Sequence, residues 1–402
     1  MKRSLSSVLA YAALIVCVAM GIRHSFGLFL GPMSADHGWN REVFSFAIAL
    51  QNLMWGAAQP FAGLLADRYG AKRVLWAGSL LYVLGLIGMA WSSTASGFAA
   101  SAGLLIGIAQ SGVTYSVVFS AMGQLVPAER RSWAMGVVAA AGSFGQFLMV
   151  PVAAGLLGGL GWFGTLLVFA AGATLIMPLG AALGKGLAPA AAASGGQNAR
   201  QALAEASSDR GFVLLTLGYF VCGFQVVFIG VHLPTYLLDK GLSGNVGVTA
   251  LALIGLFNVF GTYTAGFLGG RLPKRYLLAA IYSLRSAVIS LFLLLPLSPL
   301  TVYLFAAAMG LLWLSTVPLT SAVIAQIFGV RFLGMLSGFV FFSHQIGSFL
   351  GVWLGGRLFD ASGNYDTVWA ICIALGVIAS LLNVAVNESS LSSRLPPLPS
   401  GA

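Results

Sequence analysis

Two arginines stand where the surrounding sequence should exclude them. Arg23, followed at once by His24, lies inside ALIVCVAMGIRHSFGLFLGP (residues 13–32), and Arg285 lies near the middle of LLAAIYSLRSAVISLFLLLPL (residues 277–297). Both stretches are long and apolar enough to cross a bilayer. A guanidinium in hydrocarbon costs several kcal/mol by the gentler scales, so each must be held or used. The chemistry open to an arginine there is anion recognition, because its planar fork grips a carboxylate by two parallel bonds. His24 adds a group that changes charge near neutral pH.

No acid is placed to neutralise either arginine. The ten acidic residues (Asp36, Glu42, Asp67, Glu129, Glu205, Asp209, Asp239, Asp360, Asp366 and Glu388) all fall in loops or at the ends of apolar runs. An unpaired buried charge is expensive, and an anionic substrate would supply the missing partner. For Arg23 the bland alternative is a bond to unwound backbone near Gly21 and Gly27. Arg285 sits nine residues from Tyr276 at the near end of its run, roughly 13 Å at 1.5 Å per residue, so its side chain snorkels only part of the way. An inter-helix structural role is the favoured reading for it. With no intramembrane carboxylate, proton coupling would fall to histidine: His24, His232 or His344, with His24 first because a carboxylate bound beside it would link anion and proton binding. A lone membrane histidine is otherwise a hydrogen-bonding packing residue.

The elements that must position these groups are legible in composition. Of 402 residues, 58% are hydrophobic and 7% charged, too few charges to clothe a soluble protein of this size. Apolar runs cover roughly 8–31, 43–65, 73–93, 97–124, 133–157, 162–184, 212–236, 248–270, 276–297, 300–326, 332–357 and 366–386, lengths that read as membrane spans. The first run has a basic start but is too long for a signal peptide and meets no small-residue cleavage site. The net charge of +10 follows topology. With the start inside, inner loops hold Lys2, Arg3, Arg68, Lys72, Arg73, Arg130, Arg131, Lys185, Arg200, Arg210, Arg271, Lys274, Arg275, Arg331 and Arg394. Outer loops hold Arg41, Lys240 and Arg357. This asymmetry predicts both termini in the cytoplasm and removes the need for a nucleic-acid partner. Cys17, Cys222 and Cys372 lie in apolar runs without metal-ligand spacing and read as packing residues.

The chain also repeats. GLLADRYGAKRVL (63–75) and GFLGGRLPKRYLL (266–278) align at an offset of 203, which pairs Gly63, Leu65 and Arg68 with Gly266, Leu268 and Arg271. The same offset pairs Asp36 and Gly38 with Asp239 and Gly241. Between the halves lies the Ala/Gly/Ser-rich stretch 186–210, a linker composition. The expected organisation is a six-helix bundle over 1–185, a cytoplasmic linker over 186–210, and a second bundle with a short tail over 211–402. Two such repeats are the architecture of a secondary transporter with its site near the midplane.

GLLADRYGAKRV resembles the loop motif between the second and third helices of the major facilitator superfamily. The resemblance implies a gate: Asp67 pairs with helix ends and loop arginines in one state and releases them in the other, with Arg68, Arg73, Arg130, Arg131 and Arg271 around it. In the second copy the acid is replaced by Gly270. A narrower resemblance covers most of the chain. RRSWAMGVVAAAGSFG (130–145) is similar to the fifth-helix signature of the monocarboxylate porters. ADHGWNR, LPTYLLDKGLS and GGRLFDASGNYD look like loops of their bacterial relatives, the oxalate–formate porters among them. Two departures stand out. The first-helix signature of acid, glycines and tryptophans is absent, and the eighth-helix arginine position holds Thr262.

The resemblance implies that the first, fourth, seventh and tenth helices line the cavity, and that the ninth is peripheral. Arg23 lies about where it places a first-helix cation. The polar residues at mid-depth are then the candidate lining: Gln110, Ser111, Thr114 and Tyr115; Tyr219 and Gln225; Asn258 and Tyr263; Trp313, Ser315 and Thr316; Ser143 and Gln146; His344 and Gln345. Many will be inter-helix bonds. No catalytic triad, zinc-binding helix or phosphate loop occurs, so an enzyme is not expected. The expectation is an all-α membrane protein of twelve helices in two pseudo-symmetric bundles, a monomer of the bacterial inner membrane. It would move a small monocarboxylate-like anion, with a proton, and need no cofactor or metal. Uptake of a larger or neutral nutrient such as a heterocyclic vitamin is the alternative. Efflux is the third reading, against which stands GSFGQ where antiporters carry Gly-Pro.

Overall fold

The computed structural model describes residues 5–39, 41–184 and 198–391. Lys2, Arg3, Lys185, Arg394 and the linker residues 186–197 lie outside them. The helices, in chain order, are α1 (Leu5–His24), α2 (Arg41–Tyr69), α3 (Ala71–Trp91), α4 (Ala95–Leu125), α5 (131–160), α6 (162–184), α7 (Arg210–Asp239), α8 (Gly244–Gly269), α9 (Lys274–Leu294), α10 (Pro299–Phe328), α11 (Leu333–Ser362) and α12 (Asp366–Val384).

Ten stretches of the described residues are long and apolar enough to cross a membrane. One of them, Ala128–Gly184, has 57 residues. Straight, it would run about 85 Å at 1.5 Å per residue, far beyond a hydrocarbon core of about 30 Å. It breaks at Gly161, whose φ of 66° is open to glycine at little cost, and so counts as α5 and α6. The 29 residues of α2 also suffice to cross; Gln51, Asn52 and Gln59 dilute its hydropathy. With that break and α2 counted, the described residues offer twelve helices of crossing length.

The sequence repeat is a structural repeat. In the first half α1 packs on α5, α2 on α4 and α3 on α6; in the second α7 packs on α11, α8 on α10 and α9 on α12. The offset of 203 holds at single contacts. A Cβ on Gly107 of α4 would lie 2.7 Å from the Gln51 carbonyl of α2, and one on Gly310 of α10 would lie 2.7 Å from the Ile254 carbonyl of α8. Small residues let helices touch where lipid offers no hydrophobic drive.

Three features shape the interior. First, α1 stops at His24 and gives way to a 3-10 turn at Phe26–Phe29 and a short helix, Leu30–His37. Second, α4 is interrupted at Thr114, whose backbone is extended (φ −110°, ψ −164°). Third, α10 is interrupted between Leu312 and Thr316. Within the Ala/Gly/Ser-rich connection, Ala199–Ser208 form a helix rather than plain coil. Asn198 and Gln201 cap it reciprocally, each accepting from the other's backbone N–H at 2.8 Å.

The two halves meet along α2–α11 and α5–α8, with the second part of α4 on α11 and the second part of α10 on α5. These contacts concentrate at one face, the end that bears Arg68, Lys72, Arg73, Arg130, Arg131, Arg271, Lys274 and Arg275. There a Cβ on Gly63 would lie 2.1 Å from the Gly334 carbonyl, and one on Gly136 would lie 2.7 Å from the Gly266 Cα. The basic face is sealed by backbone-to-backbone approach.

Candidate functional site

Arg23 occupies the last turn of α1 and is half-buried. Its Nη2 donates to the Asn52 Oδ1 of α2 at 2.5 Å, and its guanidinium lies 4.7 Å from the centre of the Trp55 ring. Nε is buried and has no partner among the described residues. Its contacts are with α2, not with the carbonyls near Gly21 and Gly27. Neither Asn52 nor Trp55 was singled out from the sequence. Asn52 Nδ2 donates to the Ile48 carbonyl at 2.9 Å. A carbonyl only accepts and a guanidinium only donates, so the Asn52 amide has one consistent orientation. His24 is half-buried beside Arg23, and its ring has no hydrogen-bond partner among the described residues.

Trp55 links this corner to the α4 interruption. Its Nε1 donates to Gln59 Oε1 at 2.8 Å and to Thr114 Oγ1 at 3.1 Å. Gln59 Nε2 donates to the Ser111 carbonyl at 2.8 Å, which α4 leaves free where it is interrupted. Gln110 Nε2 reaches Gln51 Oε1 at 3.4 Å, and Gln51 donates to the Ala102 carbonyl. Gln51, Trp55 and Gln59 are spaced by four, one stripe of α2 facing α4. Gln110 and Thr114 thus belong to a helix-to-helix seam. Tyr115, one residue on, faces the junction of the halves, with its hydroxyl against Gly142 of α5.

From Trp55 an aromatic path crosses to the second half. Phe341 of α11 lies 4.7 Å from Trp55, His344 stacks on Phe341 at 5.4 Å, and Tyr219 of α7 meets His344 at 5.0 Å. Beside it runs a polar path. Gln345 Nε2 donates to the Asn52 carbonyl at 3.0 Å, and its Oε1 accepts from the buried His344 Nδ1 at 3.1 Å. Arg23, Tyr115, Tyr219, His344 and Gln345 are therefore brought together. A cleft of about 20 Å³ lined by Tyr115, Tyr219 and Phe341 among others lies here, room for about one water. A larger cavity of about 320 Å³ lies at the basic face, between the Ala199–Ser208 helix, the end of α10, the start of α11 and Ser390–Leu391.

The remaining candidates serve a different place. Arg285 is fully buried; its Nε and Nη2 donate to the Leu312 carbonyl at 3.1 and 2.6 Å, and Nη2 donates to the Trp313 carbonyl at 2.5 Å. These are carbonyls freed by the α10 interruption. Asn258 Oδ1 accepts the Leu314 N–H at 3.0 Å, so the break is tied from two sides. Gln225 stands 3.5 Å from Arg285 and donates to the Cys372 carbonyl at 2.8 Å. His232 lies toward the end of α7 away from the basic face, with both ring nitrogens engaged. Val352 O can only accept, at 3.0 Å, so Nε2 carries the proton, and Nδ1 accepts from the Tyr365 hydroxyl at 3.2 Å. Tyr263, expected in the cavity, is 46% exposed on the outside of α8.

Asp67 lies at the sealed face and is 2% exposed. Its carboxylate accepts the Gly334 and Met335 N–H groups at 3.2 and 2.9 Å and the Ser120 hydroxyl at 2.5 Å. The first two are the unsatisfied donors at the start of α11, a ready anion site. The expected arginine partners are elsewhere. Arg68, Arg73, Arg130 and Arg271 are exposed, Arg271 over the Phe267 ring at 4.1 Å, and Arg131 Nε donates to the Val126 carbonyl at 3.1 Å. A helix terminus serves better than a loop arginine because its donors are fixed and already desolvated. In the second copy, Gly270 replaces the acid, and Ser132 at the corresponding start of α5 keeps a buried hydroxyl without a partner.

A sealed basic face, a repeat of six helices and a polar midplane define a transporter. The sequence profile of the Major Facilitator Superfamily matches residues 12–315, and the chain belongs to that family of transporters; it is not an enzyme. Among its relatives is an uncharacterised MFS-type transporter of Bacillus subtilis, YcxA, 26% identical over 381 residues, 90% of each chain. Monocarboxylate transporter 11 of Mus musculus is 28% identical over 406 residues, covering 95% of this chain and 87% of that one. Among solved structures, the fucose:proton symporter FucP of E. coli shares the fold with a TM-score of 0.75 at 14% identity, over 95% of this chain and 99% of that one.

Proposed function

We propose that the chain carries a small monocarboxylate-like anion, together with a proton, by alternating access across the bacterial inner membrane. The observation that carries this reading is Arg23: a membrane-embedded guanidinium beside the junction of the halves, with no acid among its partners and a buried donor unused. The kinship with a monocarboxylate transporter supports an anionic substrate. The anion binds Arg23 from the side of Tyr115, Tyr219 and His344, and His24 or His344 takes the proton that accompanies it. The basic face is cytoplasmic by the positive-inside rule, so the sealed state faces outward with both termini inside. Residues 1–185 and 211–402 rock as two bodies about the 186–210 connection, and Asp67 latches the cytoplasmic seam. The protein works as a monomer.

The test is transport by the purified protein in proteoliposomes carrying an internal pH dye. Short carboxylates, a neutral heterocyclic vitamin and a cationic drug are added outside. Carboxylate uptake with acidification that saturates, and is lost in His24→Gln or His344→Gln, is the expected result. Uptake of the neutral ring or expulsion of the cation, with no carboxylate flux, overturns the reading.

A further inference from the structure

An arginine offers a carboxylate its best grip along the edge formed by Nε–H and the neighbouring Nη2–H, which present two parallel donors. At Arg23 one of these two nitrogens is engaged and the other is not. Nη2 donates to one oxygen, Asn52 Oδ1, while Nε is buried and unpartnered among the described residues. Trp55 covers one face of the guanidinium at 4.7 Å, which leaves the edge as the productive approach. A buried donor without an acceptor is costly, so the empty site carries a deficit of one acceptor, which an entering anionic oxygen repairs.

We propose that Asn52 is a stand-in for the substrate: its amide oxygen occupies half of the Arg23 edge in the empty protein, and an entering carboxylate displaces it, taking Nη2 with one oxygen and Nε with the other. Asn52 is thus a positioning residue. It holds the guanidinium aimed while the site is empty and yields its place on binding. The two-donor edge also sets specificity. A carboxylate satisfies both donors; the primary amide of the same acid offers one oxygen and an NH2 that faces a donor. The same residue meets the other half of the protein, because its backbone carbonyl accepts from Gln345 Nε2. The substrate's anchor and the α2–α11 seam therefore share one residue. The inference rests on the reading of Arg23 as the anion anchor.

The experiment measures binding by calorimetry for wild type, Asn52→Ala, Asn52→Asp and Arg23→Gln, with formate, acetate, pyruvate and benzoate, and with benzamide as the amide probe. Removing a competitor that exists only in the empty state tightens binding. Asn52→Ala is expected to lower Kd for the best-bound carboxylate by about tenfold, the worth of one hydrogen bond to a charged donor, while its melting temperature without ligand falls. Asn52→Asp fills the edge with a permanent carboxylate; it folds, melts higher and loses carboxylate binding by a hundredfold or more. Benzamide does not bind wild type. Weaker binding in Asn52→Ala with binding lost in Arg23→Gln overturns the stand-in alone and leaves Asn52 a plain support. Unchanged binding in Arg23→Gln, or no carboxylate bound by wild type, overturns both the stand-in and the anchor beneath it.

Discussion

Neutralising Asp67 tests the seam between the halves. In Asp67→Asn the side chain keeps one acceptor. The Ser120 hydroxyl can turn to accept from the new amide, so one of the two α11 N–H bonds is lost. A hydrogen bond to a charged group is worth about 1.5–3 kcal/mol, and a negative charge at a helix N-terminus adds about 0.3–1 kcal/mol. Against this, closing the seam over a neutral amide no longer requires burying a charge, which returns part of the loss. About 1–2 kcal/mol remains, a shift of roughly 5- to 30-fold toward the state open at the basic face. Ser337 is the reporter. It is 6% exposed on α11, near the sealed face. Ser337→Cys, in a Cys17→Ser background, should react with a maleimide 5- to 30-fold faster when Asp67→Asn is added, by the same about 1–2 kcal/mol. The reactivity of Cys222 and Cys372 is subtracted using the protein without the reporter. Transport should slow more than ligand affinity falls, because Asp67 bonds across the seam and lies apart from the proposed anion site. An unchanged labelling rate with unchanged turnover would refute the latch.

Three further outcomes follow from the same contacts. Arg285→Lys cannot reproduce the three bonds to the Leu312 and Trp313 carbonyls; about 2–4 kcal/mol of stability should go, seen as a lower melting temperature, while carboxylate affinity holds. Gly136→Ala puts a methyl 2.7 Å from the Gly266 Cα, costing the sealed state about 1–3 kcal/mol, and should raise Ser337→Cys labelling as Asp67→Asn does. His232→Gln should leave proton-coupled transport intact, because Val352 and Tyr365 already occupy both ring nitrogens; loss of coupling there would move the proton site to the end of α7 away from the basic face.

The architecture was written in quantities that survive in one dimension. Run length reports bilayer thickness, and the offset of 203 that joins Gly63 to Gly266 reports a duplication whose halves still pack alike. Asp67 was legible in its loop motif, and the resemblance pointed it at a helix end; which end was not legible, because Gly334 and Met335 act through backbone N–H groups, which any residue supplies. Arg23 was visible as a charge out of place, whereas Asn52 and Trp55 were not. A signal for Trp55 was present in α2, where Gln51, Trp55 and Gln59 recur every four residues inside an otherwise apolar run. Depth along a helix can be counted, but facing cannot be assigned without a partner helix. For that reason Gln225 and Asn258 read as lining from the sequence yet bond other helices in the fold, and Tyr263 read as lining yet faces outward.

The central claim is that Arg23 exists to hold an anion, and binding decides it most directly. Calorimetry of the purified protein with short carboxylates should show saturable binding in wild type. Arg23→Gln, with its fold confirmed by circular dichroism, should lose it by about 2–5 kcal/mol, at least thirtyfold. Carboxylate affinity that survives Arg23→Gln, or saturable binding only of neutral rings or cations, would contradict the account and leave Arg23 a brace between α1 and α2.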